Sequence, residues 1–139
     1  MPEKTVKTWL KNCAESANAL DLERHLGLIS RKIRLTGIPG FDALGYADWA
    51  AQCEHEFENR ILERVTYSGL KLVADTPNQI MFRTFETVKG TDGTTNAQGV
   101  EMLIELEEDG QWRLIQERVM PADETAHFEL APDSQPVID

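Results

Sequence analysis

The sequence predicts an α+β domain in which three N-terminal helices pack on a strongly curved antiparallel sheet. Two observations carry that expectation. Apolar residues recur every three or four positions up to Leu62, then alternate with polar ones from Val65 to Val119. Glycine, proline, asparagine and aspartate cluster at the joints between these runs. The resulting order is helix, helix, strand, long helix and four antiparallel strands, with the helices on one face of a meander.

Thr5 to about Leu20 places Val6, Trp9, Leu10, Cys13, Ala17 and Leu20 on one helical stripe, with Lys7, Lys11 and Glu15 away from it. Asp21 can cap a second helix running to about Ile29, with Leu22, Leu26 and Ile29 inward. Arg31 to Thr36 alternates as a short strand and ends at Gly37-Ile38-Pro39-Gly40. A third helix is expected from Tyr46 to about Leu62, with Tyr46, Trp49, Cys53, Phe57 and Ile61 toward the core. Asp48, Gln52, His55, Glu56 and Asn59 then form a solvated face, which assigns His55 no metal or acid–base role.

Val65–Ala74 and Gln79–Lys89 read as strands joined at Asp75-Thr76-Pro77-Asn78. Two more strands, Val100–Leu106 and Trp112–Val119, flank Glu108-Asp109-Gly110. A two-residue loop would set Leu106 opposite Arg113 and Met102 opposite Glu117. A three-residue loop sets Leu106 beside Trp112, Ile104 beside Leu114 and Glu105 beside Arg113. The second matches apolar with apolar and pairs opposite charges, so it is preferred, and it brings Glu101 opposite Glu117.

The chain has 139 residues, 41% of them hydrophobic, 27% charged, and a net charge of −10. This charge argues against nucleic acid and anionic membranes as partners. No apolar run approaches the ~20 residues of a membrane span, and the N-terminus lacks a signal-peptide core, so a cytoplasmic protein is expected. Cys13 and Cys53 have no CxxC partner, and the three histidines are scattered, so no metal or cofactor is expected. Residues 1–120 form the expected domain. Residues 121–139, acidic and without Lys or Arg, read as a loosely attached tail.

Four features in order resemble the NTF2-like superfamily in its SnoaL-like and ketosteroid-isomerase-like sense. They are ALDLERHLGLIS, RKIRLTGIPG, the helix beginning GYADW, and the EEDGQWRLI hairpin. The resemblance implies a cone-shaped sheet around an internal pocket, and a homodimer through the outer sheet face. It also implies that the ketosteroid isomerase functional positions fall on Cys13, Leu103 and Gly37, none of which supplies the required carboxyl or phenol.

The expected function is therefore binding of a small hydrophobic or amphipathic molecule, with catalysis left open. The expected pocket draws on Cys13, Tyr46, Trp49, Cys53, Phe57, Phe82, Glu86, Glu101, Leu103, Ile115 and Glu117. The stripe of Val100, Ile104, Trp112 and Leu114 is then the dimer face. Two close carboxylates cannot both ionise cheaply, so Glu101 and Glu117 are the candidate acid–base pair of an isomerase, dehydratase or hydrolase. The third expectation is a protein-interaction module.

Overall fold

The computed structural model describes residues 2–137. Helices α1 (Pro2–Asn18), α2 (Leu22–Leu26) and α3 (Tyr46–Glu58) surround strand β1 (Ile29–Thr36) in sequence. Strands β2 (Leu62–Thr76), β3 (Gln79–Gly90), β4 (Thr95–Leu106) and β5 (Trp112–Val119) follow, and α4 (Ala122–His127) comes last. The predicted α+β order holds, and α4 is the element that the sequence pattern did not reveal.

The strands form one sheet in the order β1-β5-β4-β3-β2. All neighbours are antiparallel except β1 and β5, which run parallel. Register shifts interrupt β2 at three places, between Leu62 and Arg64, Ser68 and Leu70, and Leu72 and Ala74. Each irregularity bends and twists the strand locally, which is how a meander acquires a concave face.

α1 crosses that face, burying Val6, Trp9, Leu10, Cys13 and Ala17 against the sheet. Asn18 fixes its C-terminal end by accepting from the Val65 N–H at 2.8 Å and donating to the Val65 carbonyl at 3.4 Å. Asp21 caps α2 as expected, accepting from the Arg24 N–H at 3.2 Å. α3 stops at Glu58, a turn earlier than its stripe implied, and Ile61 is left exposed.

The hairpin resolves the register question by using both candidates. Near the turn, Leu106 faces Trp112, Glu105 faces Arg113 and Ile104 faces Leu114. The register then shifts, leaving Ile115 without an opposite residue, and Leu103 pairs with Gln116. Beyond this bulge Met102 faces Glu117 and Glu101 faces Arg118. The expected Glu101–Glu117 pairing is thus wrong by one residue. An extra residue on one strand reverses inside and outside for everything past it.

Two further expectations are corrected. Val100, Ile104 and Leu114, assigned to a dimer face, are fully buried inside the monomer, with Trp112 packed half-buried against the same core. The apolar stripe lies under the helices, so these residues are not a face that a second subunit could cover. The acidic tail is docked rather than loose. Leu130 is buried with Phe85 and Met120, with Phe128 packed beside them. Further on, Gly69 donates to the Gln135 carbonyl at 2.8 Å and Val137 donates to that of Tyr67 at 3.0 Å, covering the free edge of β2. Gly99 makes room for this arrangement, because a side chain there would collide with Thr125 of α4. Ile138 and Asp139, the last residues of the expected tail, lie outside the described residues.

Candidate ligand-binding site

Between the three helices and the concave face of the sheet is a cavity of about 720 Å³. Its walls are mostly apolar. Trp9, Trp49, Phe57, Met102 and Leu114 contribute, and Ile38, Phe41 and Leu44 of the loop after β1 stand at its edge. Phe41 is 59% exposed there.

The polar end belongs to the sheet. Glu117, only 5% exposed, lines the cavity because the bulge at Ile115 turns it inward beside Leu114. Glu86 lines it from β3, and Tyr67 from β2. The Tyr67 hydroxyl donates to Glu86 Oε2 at 3.2 Å. A phenol has one proton, so the Cys13 thiol is the donor to the Tyr67 oxygen, 3.4 Å away. Gln98, the cross-strand partner of Glu86, also donates to it.

The two carboxyl groups differ in their support. Burial raises the pKa of Glu86, the Tyr67 and Gln98 donors oppose that rise, and Glu56 adds to it. Glu117 is pushed well above the usual carboxylate range, first by burial and then by the charge of Glu86. Among the described residues Glu117 has no hydrogen-bonding or ion-pair partner. The Tyr67 and Gln98 donors thus favour the ionised form of Glu86 over that of Glu117.

His25 of α2 enters the same cavity and is 8% exposed. Burial lowers its pKa to about 4, against a smaller opposing effect of the Cys13 carbonyl, so the ring is neutral near pH 7. Ser16 Oγ lies 2.8 Å from His25 Nδ1 and donates to the Cys13 carbonyl at 3.0 Å. One hydroxyl proton cannot serve both contacts, which places the imidazole proton on Nδ1 and the lone pair on Nε2. Desolvation likewise pushes the Cys13 and Cys53 thiols up to about 12, so both are poor nucleophiles. The indole Nε1 atoms of Trp9 and Trp49 are buried without hydrogen-bond partners. The Trp49 indole still interacts weakly with the Cys53 thiol, so Trp9 is the cleaner orphan.

Of the residues expected at the site, Cys13, Trp49, Cys53, Phe57, Glu86 and Glu117 line the cavity. Phe82 is fully buried in the core beside Trp9, with ring centroids 6.5 Å apart. Tyr46 is half-buried and stacks under the Arg31 guanidinium at 4.5 Å. Leu103 and Glu101 lie on the opposite face of the sheet, and Ile115 is the half-buried bulge residue. Glu101 receives Arg83 Nε at 2.8 Å and Arg118 Nη2 at 3.2 Å. Burial alone would raise its pKa, but the two guanidinium groups together hold it below the usual range. The expected Glu101–Glu117 acid–base pair is therefore not a pair.

His25, Tyr67 and Gln98 were missed. His25 lies three residues after Leu22, on the inward side of α2, a spacing visible in the sequence. Asp48 and Gln52 are exposed, as the solvated-face expectation had them, and Glu56 is half-buried; all three also border the cavity. His55 is exposed beside Asn59, as read.

No family model and no curated protein matches the sequence. Solved structures do. The chain is similar to an NTF2-like protein of unknown function from Shewanella oneidensis, at 15% identity and a TM-score of 0.71. That match covers 86% of this chain and 98% of the other. The fold is NTF2-like. A second NTF2-like protein, from Novosphingobium aromaticivorans, matches at 14% identity and a TM-score of 0.66, covering 89% of this chain and 84% of its own. A third, from the same organism and provisionally named scytalone dehydratase, matches at 10% identity and 0.66, covering 84% and 80%. At these identities the likeness extends to the NTF2-like fold alone. Among the described residues no group of three or more metal-ligating side chains occurs, and no helix is long and apolar enough to cross a membrane.

Proposed function

We propose that the protein binds a small, largely apolar molecule in the cavity, with the polar end of that molecule against Glu117. The observation that carries this reading is a buried carboxyl group facing a cavity of about 720 Å³ with no partner among the described residues. A group so placed lowers the stability of the fold unless water or a ligand in the cavity completes its hydrogen bonding. Volume and lining are those of a site for a molecule of drug-like size.

A neutral, uncharged dye such as Nile red tests the reading. Saturable one-to-one binding is expected, with quenching of the Trp9 and Trp49 fluorescence. Replacing Cys53 with Trp should fill the cavity and abolish binding while the protein still melts cooperatively. Dye binding that persists unchanged in the filled variant would overturn the reading.

A second reading, an isomerase or dehydratase, is favoured by one specific arrangement. His25 offers a neutral imidazole with its lone pair on Nε2, and Glu117 offers a protonated carboxyl, in the same cavity. A base and an acid held apart in this way are what proton transfer between two positions of one substrate requires.

A further inference from the structure

The charged and titratable groups of the cavity are unbalanced in a way that constrains its ligand. Four carboxyl groups line it: Asp48 and Glu56 from α3, Glu86 from β3 and Glu117 from β5. The other titratable groups facing them are the thiols Cys13 and Cys53, the Tyr67 phenol and His25, all uncharged near neutral pH. Among the described residues neither lysine nor arginine lines the cavity. Arg118, adjacent to Glu117 in the chain, points to the other face and is held there by Glu101 and Glu124. The cation that would ordinarily accompany two buried carboxyl groups is therefore not supplied by the cavity walls.

We propose that the ligand is a lipophilic amine, bound with its ammonium group against Glu86 and Glu117 and its apolar body against Trp9, Trp49 and Phe57. An ammonium supplies both the charge and the hydrogen-bond donors that Glu117 lacks, whereas a neutral ligand satisfies only the second need. Aromatic faces around the cavity add a favourable interaction with a desolvated cation. An anionic ligand would meet like charge with no cationic side chain to receive it, so carboxylates and phosphates are disfavoured. Binding of the ammonium also reverses the balance at Glu117, which releases its proton when a cation arrives.

This inference rests on the binding reading above, and three probes of one shape separate the two. They are 4-phenylbutylamine, 4-phenylbutanol and 4-phenylbutanoate, measured by displacement of Nile red and by calorimetry. The amine should bind at least about tenfold more tightly than the alcohol, and the carboxylate most weakly. Calorimetry in buffers of different ionisation enthalpy should show proton release with the amine and none with the alcohol. In Glu117→Gln the advantage of the amine over the alcohol should shrink by about tenfold or more. If Nile red binds but the alcohol equals or exceeds the amine, the ligand class is overturned and the binding reading stands. An amine preference that survives intact in both Glu117→Gln and Glu86→Gln overturns the proposed placement. If none of the probes binds, including Nile red, both fall.

Discussion

Glu101 and Glu117 occupy adjacent rungs of one hairpin, on opposite faces of the sheet. On the outer face, Glu101 sits between Arg83 and Arg118, and Arg118 also grips Glu124 of α4 at 2.6 Å. The Arg83 guanidinium lies 3.9 Å from the centre of the Phe128 ring. Charge there is matched by opposite charge, and the lattice pins the C-terminal segment across the sheet. On the inner face, Glu117 has an apolar wall, another carboxylate and no cation. The two residues are chemically identical, so the contrast lies in what surrounds them. One environment stabilises the fold, and the other stores an unmet demand that a ligand can satisfy.

The comparison can be broken most severely from the outside. A chain ending at Met120 removes Leu130 and Phe128 from Phe85 and uncovers the β2 edge. It should lose roughly 3 kcal/mol or more of unfolding free energy, on the scale of deleting large buried side chains. Urea denaturation measures this, and an unchanged midpoint would show that the docked segment contributes nothing.

A smaller effect, of opposite sign, is expected inside. Glu117→Gln should stabilise the ligand-free protein near pH 7, because burial and the charge of Glu86 both oppose ionisation of this carboxyl in the folded chain. The folded-state pKa of Glu117 is raised, so the folded chain holds that proton more firmly than the unfolded one. Its contribution to stability falls as pH climbs above the ordinary carboxylate range toward the folded pKa. Unfolding curves between pH 5 and 8 should slope downward in the parent protein and be flatter in the variant.

The smallest effect sharpens the contrast. Glu101→Gln should cost about 1 kcal/mol at neutral pH, a modest value because solvent screens this half-open ion cluster. Here the folded pKa is depressed. The stabilisation is present above the unfolded pKa and disappears as pH falls through the folded one, a window below that of Glu117. Equal signs for the two Gln variants at pH 7 would erase the distinction between the faces.

Much of the architecture was legible because helices and strands carry different periods. Trp9 and Cys13 on α1 and Trp49, Cys53 and Phe57 on α3 followed directly from those periods, whereas Glu86 was grouped with Leu103 and Glu101, whose face turned out to be the outer one. Glu101 failed because a bulge leaves no mark in a strict alternation. One sign was present. In Trp112, Leu114, Gln116 and Arg118 a single nominal face turns from apolar to charged halfway along, and Glu117 and Val119 resume the inward set. The tail misled for a different reason. Its anchors, Phe128 and Leu130, are too few to show a period, and their partners Arg83 and Phe85 come from a distant strand.

The parallel pairing of β1 with β5 has a consequence for biosynthesis. β1 is made early, yet its neighbour in the sheet is the last strand, through pairs such as Ile29 with Leu114. While the ribosome is still adding β2, β3 and β4, Ile29 and Ile33 have no strand to lie beside. Closing that long loop is the slow, entropically costly event of such a topology. The same event installs Glu117, because β5 brings it. The nascent chain thus acquires its binding wall only when the sheet closes, and a polypeptide interrupted before Trp112 exposes aggregation-prone strand edges and has no site.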